Sequence, residues 1–64
     1  MAEAMDDKLN IANWHSNLGI VCAYLGKRDR AKDHYAIARQ IYTDLGNQRQ
    51  VENVNTNEEL TLGS

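Results

Sequence analysis

The chain has 64 residues, a formal net charge of -2, one cysteine and no proline or phenylalanine. That length allows one domain at most, and a domain so small buries only about 60% of the surface its unfolded chain exposes. A single thiol rules out an intrachain disulfide, and the weakly acidic balance does not favour nucleic acid or membrane surfaces.

Ala, Leu, Gln, Glu, Lys and Arg are frequent, and no strand-length alternation of apolar and polar residues occurs, so the expected fold class is all-α. The first predicted helix spans 6–25. Ile11, Trp14, Leu18, Val21, Cys22 and Leu25 step by three and four and mark one apolar face. Asp6 or Asp7 suits the N-cap, and Gly26 suits a left-handed stop. The second predicted helix spans 28–45, with Ala31, Tyr35, Ala38, Ile41, Tyr42 and Leu45 in the same stepping and Gly46 repeating the Leu-Gly stop. The short link Gly26-Lys27 requires the two helices to lie antiparallel, and Gly19, Ala31 and Ala38 let their axes approach closely. The third segment, 48–60, has only Val51, Val54 and Leu60 as large apolar residues, and Asn53 to Asn57 weaken helix formation; a short capping helix is expected, then a loose tail to Ser64.

Leu18-Gly19, Cys22, Gly26, Ala31-x-x-x-Tyr35 and Ala38 together resemble the tetratricopeptide repeat. His15 stands at the family's Trp place, Cys22 at its Tyr place and Thr43 at its Pro place. The ending Leu45-Gly46-Asn47 resembles longer repeats of the family. A shift of 40 residues brings Ile11, Asn13, Trp14 and Asn17 onto Val51, Asn53, Val54 and Asn57, so the third segment reads as the degenerate first helix of a following repeat. Glu58 and Glu59 replace Leu18 and Gly19 there, as in a polar cap.

The resemblance implies a protein–protein interaction module or small scaffold. One repeat cannot cover its own apolar face, so self-association as a homodimer or higher oligomer is expected, through Trp14, Leu18, Val21, Tyr35, Ile41 and Tyr42, most of which also serve the core. The family's ligand-contacting places fall on Asn13, Ser16, Asn17, Ile20, Ala23 and Tyr24, which would receive a peptide segment of another protein. Two competing readings remain open. The turn Lys27-Arg28-Asp29-Arg30-Ala31-Lys32 sets four cations against one carboxylate and would serve a small helical DNA-binding or regulatory protein, although the overall charge is negative. The chain also reads as an excised or engineered unit of a longer array.

No enzyme is expected. His15, Cys22 and His34 lack zinc-site spacing, and no cofactor-binding motif occurs. Nothing approaches the roughly 18 apolar residues of a membrane span, and Met1 to Asp7 lacks the features of a signal peptide, so cytoplasmic residence is expected.

Overall fold

The computed structural model describes residues 3–63, with side chains from Asp7 onward. The fold is all-α: α1 (Glu3–Tyr24), α2 (Arg28–Asp44) and α3 (Gln48–Leu62). Contacts between α1 and α2 run in opposite chain order, with Asn13 reaching Tyr42 and Gly19 lying against Tyr35. The third helix packs on both of the others.

The twin Leu-Gly stops produce twin turns. Gly26 (φ 79°) and Gly46 (φ 71°) take the left-handed conformation that glycine adopts without a Cβ clash. Gly26 N–H donates to the Ala23 carbonyl and Lys27 N–H to the Cys22 carbonyl; Gly46 and Asn47 repeat the pattern onto Thr43 and Tyr42. These paired bonds satisfy carbonyls that a helix end otherwise leaves open. The Asn47 carboxamide then caps α3, accepting from Gln50 N–H at 3.4 Å.

Three differences from the sequence expectations have clear physical causes. Asp6 and Asp7 lie inside α1 rather than at its N-cap, since the preceding Glu3, Ala4 and Met5 are strong helix formers. The third helix is longer than expected and runs unbroken through Asn53–Asn57 to Leu62. Val51, Val54 and Leu62 are buried, and that burial outweighs the poor propensity of the Asn residues. Thr61 and Leu62 thus belong to the helix rather than to a loose tail; Leu62 is 2% exposed whereas Leu60, one of the segment's large apolar residues, is 78% exposed. Ser64 lies outside the described residues.

The third difference concerns the face that α1 turns inward. The stripe Ile11, Trp14, Val21 and Leu25 is exposed, and Leu18 is half-buried. Among the described side chains of α1 the buried residues are small, Ala12 and Gly19, with Leu9, Ile20, Cys22 and Ala23 packed partly against the core. A Cβ at Gly19 would fall 2.7 Å from Tyr35 Cε1, so the missing side chain creates the room that the tyrosine ring occupies. Ala31, Tyr35, Ala38 and Tyr42 complete the core from α2. Burying a phenol demands a partner for its hydroxyl. Thr61 donates to the Asn57 carbonyl, which leaves its Oγ1 free to accept from Tyr35 at 2.8 Å. Tyr42 donates to Asn13 Oδ1. Among the described residues no buried side-chain nitrogen or oxygen lacks a partner.

Candidate functional site

A groove of about 440 Å³ lies between α1 and α3, with Tyr42 of α2 also lining it. Asn13, Ser16 and Asn17 form one wall. Gln50, Asn53, Thr56 and Asn57 form the other. Steps of three and four place each set on one face of its helix. Burial of Val51 and Val54 fixes the rotation of α3 that presents the second set. The Tyr42 hydroxyl holds the Asn13 carboxamide, and Asn53 Nδ2 donates to Gln50 Oε1 at 3.1 Å. Desolvation in this setting pushes the Tyr42 phenol above its ordinary value of 10.0.

Among the described residues, no charged side chain lines the groove. Its chemistry is that of the carboxamide, which donates and accepts at the same time and so matches the alternating N–H and C=O groups of an extended backbone. A phosphate or carboxylate would find no cation there.

Of the residues assigned to ligand contact from the sequence, Asn13, Ser16 and Asn17 line this groove. Ile20 and Ala23 are instead half-buried against the core, and Tyr24 is exposed at the end of α1. A step of seven puts Ile20 on nearly the same face as Asn13 but two turns further along α1, and Ala23 and Tyr24 lie further still, beyond the residues that line the groove. The α3 wall was missed, although the shift of 40 already paired Asn13 with Asn53 and Asn17 with Asn57. Of the residues assigned to self-association, Tyr35 and Tyr42 are buried within one chain and form part of its core. Ile41 is half-buried against that core, whereas Trp14 and Val21 are open to solvent.

Two further clusters lie outside the residues that line the groove. His15 and His34 stack with centroids 5.2 Å apart, their Nδ1 atoms 3.0 Å apart, so one ring must donate to the other. Desolvation, with the neighbouring His34 second, lowers the pKa of His15 below 6.5. Among the described residues no three His, Cys, Asp or Glu side chains gather into a metal-ligating group. At the basic turn, Arg28 donates to the Leu62 carbonyl at 2.6 Å and so ties down the end of α3. Arg39 bridges to Asn55 and to Glu58, the latter at 3.0 Å. No described helix is long and apolar enough to cross a membrane.

No family model, curated protein or solved structure matches the chain. The tetratricopeptide resemblance therefore rests on this chain's own residues.

Proposed function

We propose that the chain is a small, non-enzymatic, tetratricopeptide-like interaction module of the cytoplasm that self-associates and receives an extended, uncharged peptide segment. The carboxamide-lined groove carries this reading. Asn13 and Asn17 face Asn53 and Asn57 across it, and none of its lining residues is charged. The close seat of Tyr35 on Gly19 and the 40-residue correspondence between α1 and α3 support the repeat-like design. Self-association follows from the large apolar residues that α1 leaves in solvent.

Selection of random displayed peptides against the purified chain tests the groove. Enriched peptides should be poor in charge and should lose affinity about tenfold or more when Asn17 and Asn57 are both changed to Ala, since each net hydrogen bond contributes about 1 kcal/mol and 1.4 kcal/mol is tenfold. The helical circular dichroism should be unchanged. Peptides that bind the double variant as well as the parent would refute the groove assignment. Duplex DNA binding that weakens steeply with salt would move the reading to the turn at 27–32.

A further inference from the structure

Large apolar residues that α1 and the residue just after it leave exposed or half-buried fall at 11, 14, 18, 21 and 25. Steps of three, four, three and four are the seam pattern of a helix that packs along another helix. Trp14 is 61% exposed and Val21 51%, Ile11 and Leu25 are exposed as well, and Leu18 is half-buried. The chain itself shows what such a face does. A shift of 40 residues carries Ile11, Trp14, Leu18 and Val21 onto Val51, Val54, Glu58 and Thr61. On α3 all four are engaged: Val51 and Val54 are buried, Glu58 pairs with Arg39 of α2, and Thr61 bonds to Tyr35 of α2. The corresponding face of α1 has no helix on it and is more apolar than its counterpart.

In a second copy the surface of α2 that receives α3 is already taken. The open helix-receiving face on that copy is its own α1 stripe. Charge then selects the direction. By sequence Glu3, Asp6 and Asp7 outweigh Lys8 at the start of α1, and Lys27, Arg28 and Arg30 outweigh Asp29 at the turn beyond its end. Antiparallel pairing centred on Leu18 sets the acidic end of each helix beside the basic turn of the other, over a seam of roughly 20 Å at 1.5 Å per residue. It also faces Ile11 with Leu25 and Trp14 with Val21. Parallel pairing would set one basic turn against the other. The flanking positions His15, Asn17, Cys22 and Tyr24 place no like charges across the seam.

We infer that two copies of the chain associate through an antiparallel α1–α1 seam, with Leu18 at the two-fold axis and Trp14 packed against Val21 of the other copy. This rests on the self-association reading above and specifies its surface. Sedimentation equilibrium from low micromolar to submillimolar concentration should give twice the chain mass. Emission of Trp14, the chain's only tryptophan, should shift to the blue as the dimer forms. Val21→Glu alters an exposed side chain, so it should abolish the dimer while helicity persists.

Direction is read by oxidation of single-thiol variants in a Cys22→Ala background with oxidised glutathione. Leu18→Cys should cross-link to itself. Trp14→Cys should not, yet should cross-link when mixed with Val21→Cys. A monomer at every concentration would overturn both the seam and self-association, leaving peptide binding in the groove to stand or fall by its own test. A dimer that survives Val21→Glu, or one in which Trp14→Cys cross-links to itself as readily as Leu18→Cys, would overturn the seam alone.

Discussion

Gly19→Ala is the sharpest probe of how α1 and α2 meet. The added methyl would sit 2.7 Å from Tyr35 Cε1, 2.8 Å from Cδ1 and 3.1 Å from Cζ. Carbon atoms in contact rest at about 3.5 to 4.0 Å, so the ring must retreat by most of an ångström. Tyr35 has nowhere to go: it is fully buried, and its hydroxyl is held by Thr61 on α3. Two effects oppose each other. Alanine gains about 1 kcal/mol over glycine inside a helix, while overpacking a core costs about 1 to 3 kcal/mol. Displacing the ring also strains a hydrogen bond contributing about 1 kcal/mol. The clash prevails, for a net loss of about 1 to 2 kcal/mol. In a domain of this size each kcal/mol moves Tm by about 4 to 8 °C, so a thermal melt followed by circular dichroism should drop by about 5 to 15 °C. Adding Tyr35→Leu to the variant should cost less than the sum of the two single changes, because the second removes the obstacle to the first. An unchanged or higher Tm for Gly19→Ala would show that the helices do not meet through this glycine.

Three other outcomes are expected. Leu62→Ala should destabilise the chain by about 2 to 3 kcal/mol in chemical denaturation, as for other buried leucines, whereas Leu60→Ala should stay within about 0.5 kcal/mol; equal effects would contradict the rotation of α3. Tyr42→Phe leaves Asn13 without its donor and should cost about 1 kcal/mol, and ultraviolet titration of the parent should show the Tyr42 phenol ionising above 10.0, a component the variant lacks. Because the pKa of His15 is lowered by folding, the unfolded chain binds its proton first as pH falls; stability is full above about 6.5 and declines as pH drops through that value toward the lower folded pKa. Denaturation midpoints between neutral and mildly acidic pH should follow that decline, and His15→Asn should flatten it.

The two Leu-Gly stops were legible at once, because a left-handed glycine leaves a strong local mark, and they set the ends of α1 and α2 to within a residue. The inward face of α1 was not. Reading by size selects Ile11, Trp14 and Val21, whereas close packing buries Ala12 and Gly19, the latter against Tyr35, and only the partner helix distinguishes the two. The start of α1 was hidden by a plausible cap at Asp6 or Asp7 that better helix formers override. Half of the groove could be read from Asn13, Ser16 and Asn17. The other half was obscured because Asn53 and Asn57 weaken helix formation locally, and that penalty masked their place opposite α1.

The bond from Arg28 to the Leu62 carbonyl joins groups 34 residues apart, the first turn of α2 to the last of α3. Drawing those ends together in an unfolded chain carries a closure entropy of about 3 kcal/mol. The tie therefore belongs to the late, cooperative part of folding rather than to any early local nucleus. Amide protons near the C-terminus should consequently exchange with solvent together with those at the start of α2, where a helix end without such a tie would open by itself.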